Sequence, residues 1–471
     1  MKQTRNLRKP LLAIGLCAAL AFGFLAACGN PASPNGERET TLTPPAEDTG
    51  IVLNLYQPHR NQAGLWEALA ADYKNLTGVT VNVRAPAAGS AAATELKEAL
   101  EAEENAPGLF LFTNPREYKA WQESAADLSA TNAYQQLADK RMALVVEEKV
   151  VGLPLGVEAF GIICNTKILD AYFALEDRDT DFDSIDDVNS HRELEALVKD
   201  LEANKAALGI DGVFAAPAFR EGESTAWGTR LLSVPVGYEI KHRNIDITGD
   251  DANELSLRYE AGFRGFHELH LGHVTTREGL ENRAYADAAR EFATGRAAMI
   301  LGSTDFLGQL NSVVGQTVSG NDAAFLPVFM NIEDFGHQGL AFETVQYAAV
   351  NGHANEEHRA AAEAFLDWLV TSEKGMDFLV NKLNVIAPYD SVIAGMPPSN
   401  PLALSALAWL QNSDVTNAIT FSVLTPGEEF RDRVVGEGLL AWHRGESEWA
   451  ELREDLREGW ERHRARMDDH S

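Results

Sequence analysis

The stretch IVLNLYQPHRNQAGLWEALAADYKNLTGVTVNVRAP, residues 51–86, decides the fold. Its first six residues are a short apolar run, which predicts a buried strand. Apolar side chains at helical spacing follow, and Gly78 comes directly after the last of them, which predicts a helix that ends there. Residues 79–84 alternate between apolar and polar side chains, which predicts a second strand. The helical apolar positions are Leu65, Leu69, Tyr73 and Leu76.

The same alternation of strands and helices continues along the chain. A helix at 94–104 and a buried strand at 108–114 come next, and the short links between all these elements predict a mainly parallel α/β sheet. A second region opens at 150–165 with two strand-like runs around Pro154 and Gly156. Further helices are predicted at 191–204, 258–271, 284–294, 356–375, 428–445 and 449–467, and strands at 212–219 and 297–301.

The composition is that of a large, acidic globular protein. The chain has 471 residues, of which 45% are hydrophobic and 23% charged, and a formal net charge of −30. Such a length predicts about three domains, or two large ones. The acidic surface repels phosphate backbones and anionic lipids, which excludes nucleic acid as the expected partner.

The N-terminus has the layout of a secretory signal peptide. Four basic residues precede an apolar run at 11–27, which is marginal in length for a membrane span. Residues 25–28, LAAC, resemble a bacterial lipobox, which implies cleavage after residue 27 and lipidation of Cys28; the alternative is an ordinary signal with an incidental cysteine. Residues 28–49 predict a flexible tether. Cys164 then remains as the only other cysteine of the mature chain, so no disulfide forms within it, and its apolar surroundings predict a core residue.

Four segments, taken together and in this order, resemble a known family. The chain is similar to bacterial extracellular solute-binding proteins of the maltose-binding type (family 1), the lipoprotein component of a carbohydrate ABC importer. One feature indicates a Gram-positive source: residues 212–219 with a nearby tryptophan resemble a Gram-positive branch of the family. The four segments are LWEALAADYKNLTGVTVNV (65–83), GLPLGVEAFGIICNTKIL (152–169), EFATGRAAMILGS (291–303) and AAAEAFLDWLVTSEKGMDFL (360–379).

The resemblance implies a two-lobed, periplasmic-binding-protein-like fold of type II. Each lobe is then a mainly parallel sheet flanked by helices, and the ligand cleft lies between the lobes. We expect a first lobe of 50–157 plus 328–386 and a second of 158–327 plus 387–471. Closure of the lobes on a carbohydrate would mark the loaded form for the permease and ATPase subunits of the importer. The protein is then a monomer, held on the outer face of the cell membrane by its lipid.

The first lobe and the first crossing between the lobes supply candidate ligand-binding residues, those of the lobe from loops that follow predicted strands, where open α/β sheets bind ligands. A sugar site needs aromatic surfaces and planar hydrogen-bonding groups. The loop at 57–62 has a plain alternative as a turn and helix cap. Glu158, at the first crossing between the lobes, has a structural role in the hinge as its alternative. The candidates are His59, Arg60, Asn61, Phe112, Asn114, Arg116 and Glu158.

The second lobe supplies candidates from two loops and from the second crossing. Trp227 is the expected stacking platform for a sugar ring, with a core position as the alternative. Relatives carry tryptophan after the position of Gly302, whereas this chain has Ser303, Thr304 and Asp305 there, which favours a smaller or more polar ligand. The remaining candidates are Phe219, Arg220, Glu221, Ser224, Phe306 and Glu343.

The sequence lacks the motifs of catalysis, metal binding and cofactor binding. The HELHLGH segment at 267–273 does not have the spacing of a zinc protease, and the acidic run at 176–187 lacks the glycine and glutamate of a calcium loop. We therefore expect no catalytic residue, no metal and no cofactor. Two alternatives stay open: a secreted carbohydrate-active hydrolase using two carboxylates, and the same fold binding a non-sugar solute such as a polyamine or peptide.

Overall fold

The computed structural model describes residues 46–88, 90–102 and 104–468, with side chains as far as residue 465. The predicted signal peptide, the predicted lipidation site Cys28 and most of the predicted tether lie outside the described residues. The last four tether residues make contacts: the Ala46 amide donates to the Asn75 carbonyl, and the Thr49 amide to the Gly78 carbonyl. Among the described residues, no helix is both long and apolar enough to cross a membrane.

The strands of the described residues join into one twisted sheet. Its order is β2-β1-β3-β9-β5-β7-β6, and in addition β10 pairs with β9 while β4 and β8 pair with β5. The strands are β1 (Val52–Tyr56), β2 (Thr80–Arg84), β3 (Leu109–Phe112), β4 (Leu144–Val146), β5 (Lys149–Asn165), β6 (Gly212–Ala215), β7 (Ala297–Ser303), β8 (Ala323–Leu326), β9 (Gln338–Val350) and β10 (Thr416–Thr420).

Parallel pairing occupies the two ends of the sheet. Strand β1 pairs in parallel with β2 and β3, and β6 pairs in parallel with β7, as the sequence predicts. The centre is mainly antiparallel, because β9 runs against both β3 and β5, and β5 runs against β7 and β8, while β10 pairs with β9 in parallel. Two α/β units are therefore joined through an antiparallel centre made of β5 and β9.

Strand β5 is one continuous strand of 17 residues where the sequence predicts two runs. Its pairing with β9 shifts register at Pro154–Gly156 and again at Gly156–Val157, so the strand passes the proline and the glycine without ending. Gly156 is required by close packing, since a Cβ there would lie 2.5 Å from the Cβ of Val385. Along its length the strand pairs with β4, β9, β8 and β7, and so it links the two α/β units.

Helices cover both faces of the sheet. Helix α1 ends at Thr77 because Gly78 adopts a φ of +76°, as the sequence predicts. Three segments widen into π-helices: Ala226–Leu231, Phe378–Lys382 and Phe430–Gly436. The α-helices are α1 (Ala63–Thr77), α2 (Ala92–Leu100), α3 (Tyr118–Trp121), α4 (Asn132–Gln136), α5 (Thr166–Phe173), α6 (His191–Ala203), α7 (Lys205–Leu208), α8 (Leu232–Arg243), α9 (Glu260–Gly272), α10 (Tyr285–Ala293), α11 (Phe306–Ser312), α12 (Glu356–Thr371), α13 (Glu373–Asp377), α14 (Asp390–Gly395), α15 (Pro401–Leu410), α16 (Glu437–His443) and α17 (Trp449–Asp468).

Two hydrophobic clusters lie on opposite faces of the sheet. Strand β3 shows the division: Phe110 and Phe112 belong to one cluster, and Leu109 and Leu111 to the other, because successive strand residues point to opposite faces. Cys164 is fully buried in the first cluster, which confirms its prediction as a core residue. Because both faces of the sheet are covered, we expect a ligand site at the loops and at the strands β5 and β9 in its centre.

Candidate ligand cleft

A buried ion-pair cluster lies where β5 and β9 cross the middle of the molecule. The register of the two strands places Glu158 directly opposite Glu343. Arg230 Nη2 lies 2.5 Å from Glu158 Oε2, and Arg230 Nη1 donates to Glu343 Oε2 at 3.0 Å. The three side chains are 28%, 17% and 11% exposed, in the order Arg230, Glu158, Glu343. One guanidinium thus bridges two carboxylates at the junction of the two central strands.

Glu343 also connects the cluster to the C-terminal part of the chain. Its second oxygen, Oε1, accepts a hydrogen bond of 2.7 Å from the backbone amide of Ser422 and another from the Ser422 hydroxyl. Both carboxylate oxygens of Glu343 are therefore occupied. The position of its carboxylate is fixed from two sides.

Arg230 reaches the cluster from a π-helix. Pro235, inside α8, has no N–H to donate to the carbonyl four residues earlier. The π-helix Ala226–Leu231 directly precedes α8. Gly228 allows the turn to pack closely, because a Cβ there would lie 2.6 Å from Arg431 Cγ. The sequence signal for this arginine was its position in a helix interrupted by glycine and proline, and the sequence analysis missed it.

The electrostatics of the cluster are dominated by acidic groups. Burial raises the pKa of Glu158, and the Arg230 guanidinium opposes that rise, while Asp305 and Glu343 add to it. Burial alone would lower the pKa of Arg230, but the surrounding carboxylates outweigh it and raise that pKa. Three carboxylates therefore surround one permanent positive charge.

Two cavities adjoin the cluster. The larger, of about 620 Å³, is lined by Glu158 and Asp305, and the smaller, of about 270 Å³, by Arg230 and Asp305. The volume of the larger cavity is within the usual range for small-molecule sites. The other polar residues that line the larger cavity are Thr304, Asn311, Asn381, Asn384, Ser399 and Asn400. The smaller cavity is also lined by the aromatic residues Phe160, Tyr285 and Phe306 and by the polar residues Glu223, Ser303 and Gln309.

The sequence matches the profile of a family described as bacterial extracellular solute-binding protein, over residues 68–403. This match spans more than half of the chain. The chain belongs to this family. Solute-binding proteins of this kind work outside the cytoplasm with ABC importers. A comparison with curated protein sequences gives no match.

Solved structures show the same two-lobed fold for this solute-binding protein. A family 1 extracellular solute-binding protein from Bifidobacterium longum subsp. infantis has a TM-score of 0.57 at 13% identity, over 88% of this chain and 99% of that chain. Apo RafE from Streptococcus pneumoniae has a TM-score of 0.58 at 15% identity, over 90% and 100%. A cyclic alpha-maltosyl-1,6-maltose binding protein from Arthrobacter globiformis has a TM-score of 0.57 at 13% identity, over 87% and 98%.

Five of the predicted ligand residues of this solute-binding protein lie together at the cavities or the cluster. Glu158 and Asp305 line the larger cavity, Ser303, Asp305 and Phe306 line the smaller one, and Glu343 binds Arg230. The Ser303 hydroxyl donates to Asp305 Oδ1. The residues that the sequence analysis missed are Arg230, Tyr285, Asn311 and three asparagines between 381 and 400.

The predicted residues of the first two loops lie elsewhere. Arg60 and Asn61 are exposed, and Arg60 donates to the Pro86 carbonyl at 3.4 Å. His59 is half-buried, and burial lowers its pKa. Asn114 caps a short helical turn by accepting from the Arg116 amide, and Arg116 Nη1 donates to the Gly249 carbonyl at 3.0 Å. None of these side chains lines either of the two cavities.

The predicted aromatic platforms are packed in the core. Trp227 is fully buried, with its ring centroid 4.6 Å from that of Phe219, so neither ring offers a face to a ligand here. Phe112 is stacked on Tyr347 at 5.2 Å. This arrangement corresponds to the core alternative for Trp227, and its physical reason is that the π-helix turns residue 227 inward while Arg230 faces the cleft.

The remaining residues of the Trp227 loop do not reach the two cavities either. Arg220 and Glu221 are exposed, and Ser224 is buried with its hydroxyl donating to the Arg220 carbonyl at 2.9 Å. The loop instead contributes its neighbours Gly222, Glu223, Thr225 and Ala226 to the smaller cavity. The loop lies beside the smaller cavity, but the residues of it that line this cavity differ from those predicted to bind the ligand.

Proposed function

We propose that this chain is a lipid-anchored substrate-binding protein that captures a mono- or oligosaccharide by hinge closure and delivers it to an ABC permease. The observation that carries the proposal is the Glu158–Arg230–Glu343 cluster beside the larger cavity. Carboxylate and guanidinium groups with planar, bidentate geometry are the groups that recognise sugar hydroxyls.

The walls of the larger cavity come from both proposed lobes. Val345, Asn381 and Asn384 belong to the proposed first lobe (50–157 plus 328–386), and Asp305 and Asn400 to the second (158–327 plus 387–471). A ligand held there would contact both lobes only when they are close together. Binding would then shift the population toward the closed form, which the permease recognises.

The anchor, the source and the oligomeric state complete the proposal. Lipidation of Cys28, with the predicted tether 28–49 as the spacer, would hold the protein on the outer face of a membrane, and the resemblance of 212–219 favours a Gram-positive cell. Lipidation with more than one acyl chain gives stable anchoring. The protein acts as a monomer with the permease and ATPase subunits. A shift to a mature mass carrying lipid, lost in Cys28→Ala, tests this part.

Carbohydrate as the ligand class is supported by the neighbours. One of them was solved as RafE in complex with raffinose, with a TM-score of 0.52 and 14% identity, and the Arthrobacter protein binds cyclic alpha-maltosyl-1,6-maltose. The smaller cavity combines aromatic rings (Phe160, Tyr285, Phe306) with polar groups, as a sugar site requires. No tryptophan lines either of the two cavities, which favours a short ligand.

One observation favours a second candidate, a cationic solute such as a polyamine. Glu158, Glu343 and Asp305 surround a single guanidinium, so the cleft has an excess of negative charge. A cation would be attracted to this excess, while an anion would be repelled. Peptide binding and carbohydrate hydrolysis remain further alternatives, to be separated by the same experiment.

Calorimetry and thermal shift against mono- and oligosaccharides, polyamines and peptides test the proposal. We expect stabilisation that grows with sugar concentration, and the sugar should be recovered chemically unchanged. Glu158→Gln should weaken binding by about tenfold or more, because the cleft loses a charged hydrogen-bonding partner. Binding of polyamines alone would select the second candidate, and chemically altered sugars would make the protein a hydrolase.

A further inference from the structure

The two cavities at the cluster are separated by very little protein. Asp305 lines both cavities, whereas Glu158 lines only the larger one and Arg230 only the smaller one. The two side chains are 2.5 Å apart. The Arg230–Glu158 ion pair therefore lies at the boundary between the two cavities, next to Asp305.

Helix α11 forms the rest of this boundary. Leu307, Gly308 and Asn311 on one face of it line the larger cavity, and Phe306 and Gln309 on the other face line the smaller one. The helix is a rigid wall of backbone. Beside the first turn of α11 the boundary consists of the side chains of the ion pair. Of these two, Arg230 is the longer and the more flexible.

Glu158 and Glu343 differ in their hydrogen-bond partners, and so Arg230 can leave Glu158 while it stays paired with Glu343. Glu343 is fixed by Ser422 as well as by Arg230, so it keeps hydrogen-bond partners when the guanidinium leaves. For Glu158, by contrast, Arg230 is the ion-pair partner. A ligand whose hydroxyls reach Glu158 can therefore take the place of the guanidinium there, while Arg230 stays paired with Glu343.

We propose that the Arg230–Glu158 ion pair is a gate that divides the cleft into two compartments and sets the length of the ligand. This inference rests on the proposed function. With the gate shut, a short saccharide occupies the 620 Å³ compartment, which contacts both proposed lobes. With the gate open, a further sugar unit extends past Asp305 into the 270 Å³ compartment, whose aromatic side chains flank it.

The test compares binding of two series of sugars to the full mature chain by calorimetry. The series are glucose, maltose, maltotriose and maltotetraose, and galactose, melibiose, raffinose and stachyose. Arg230→Met removes the gate, and Arg230→Lys keeps its charge but loses the fork that spans two carboxylates. The control is Arg283→Met, because Arg283 forms a buried ion pair with Glu291 and lines neither cavity.

We expect Arg230→Met to raise the affinity for longer members relative to that for shorter members by about tenfold, because one added sugar unit gains a set of contacts. Arg230→Lys should show a smaller change, and Arg283→Met none. Sugar binding with an unchanged length preference in Arg230→Met would overturn the gate and leave the proposed function standing. Failure of the wild type to bind any sugar would instead overturn the proposed function.

A crystal structure of the Arg230→Met variant decides the geometry without any ligand. One continuous cavity past Asp305 supports the gate. Two cavities that stay separate overturn it, because the boundary would then be made of other atoms. If Arg230→Met does not fold, the same structure of Arg230→Lys is expected to show the opening beside Glu158, and a shut boundary there contradicts the proposal.

Discussion

His267 and His270 are fully buried, and none of their four ring nitrogens has a hydrogen-bond partner. Both lie in α9 and face Trp227, Phe214 and Phe263. Burial lowers the pKa of His267 well below its usual range and that of His270 to about 3. Burial thus favours the neutral form of both side chains in the folded protein.

The first prediction is that this pair makes the protein sensitive to acid. In the unfolded chain the two histidines take up protons near their ordinary pKa of about 6.5, whereas in the folded chain they do not. The unfolded state then binds more protons, so the free energy of unfolding falls as the pH drops from about 6.5 toward 4. Replacing both by leucine should flatten the stability profile over that range in denaturant melts. The exposed His353→Asn is the control and should leave the profile unchanged.

The second prediction concerns Glu117, where the sign is opposite. Burial raises the pKa of Glu117 to about 7 from its ordinary value of 4.5. The folded state then holds a proton that the unfolded state releases, so this residue lowers the free energy of unfolding as the pH rises from about 4.5 to 7. Glu117→Gln should remove that slope in melts taken across the range. An identical slope in Glu117→Gln would contradict the assignment, and the exposed Glu123→Gln should keep it.

At the scale of elements, strand β5 has to pass closely beside residues 384–386. The third prediction is that Gly156→Ala destabilises the protein by about 1–3 kcal/mol, because the new Cβ meets Val385 at 2.5 Å and forces it aside. Val385 lines the larger cavity, so sugar affinity should fall as well. Thermal melts and calorimetry measure the two effects.

Gly64→Ala is the matched control for Gly156→Ala. Gly64 lies in α1, and a Cβ there would have no heavy atom within 4 Å. Alanine is a better helix former than glycine, so this variant should be neutral or slightly more stable. A loss of stability in Gly64→Ala equal to that in Gly156→Ala would mean that close packing at β5 is not the cause.

The elements with a periodic pattern and a clear end could be predicted from sequence. Helix α1 was predicted from its apolar spacing and Gly78, and it ends at Thr77. Strand β5 was predicted as two runs, because Pro154 and Gly156 disfavour a strand locally, while pairing with β9 carries the strand through. Tertiary pairing of this kind has no local signal.

The candidate site could be predicted only in part, for the same reason. Glu158 was predicted from its place at the first crossing and Asp305 from its place where relatives carry tryptophan, and both line the larger cavity. Arg230 was missed because it reaches the cleft through a π-helix, which changes the face that each residue presents. The same widened turn buries Trp227, which the sequence favoured as the platform.

At the scale of the whole molecule, salt bridges outside the Glu158–Arg230–Glu343 cluster also connect the two proposed lobes; Lys119–Asp250 is one and Arg258–Asp334 is another. Lys119 Nζ lies 2.7 Å from Asp250 Oδ1, and both side chains are exposed. Residue 119 belongs to the proposed first lobe and residue 250 to the second. If the lobes open and close about β5 and β9, this pair forms only in the closed arrangement and favours it.

The last prediction follows from reversing that charge. Lys119→Glu faces Asp250 with a like charge, which shifts the population toward the open form before any sugar is bound. An exposed pair is worth only about 0.2–1 kcal/mol, so the sugar affinity should fall by about two- to tenfold, and more at low salt than at high salt. The radius of gyration of the sugar-free protein in small-angle scattering should rise. Lys374→Glu is the matched control, since Lys374 pairs with Asp72 at 2.6 Å within the proposed first lobe. Equal effects of the two variants on affinity and radius would show that the charge acts locally and that the lobes do not move about these strands.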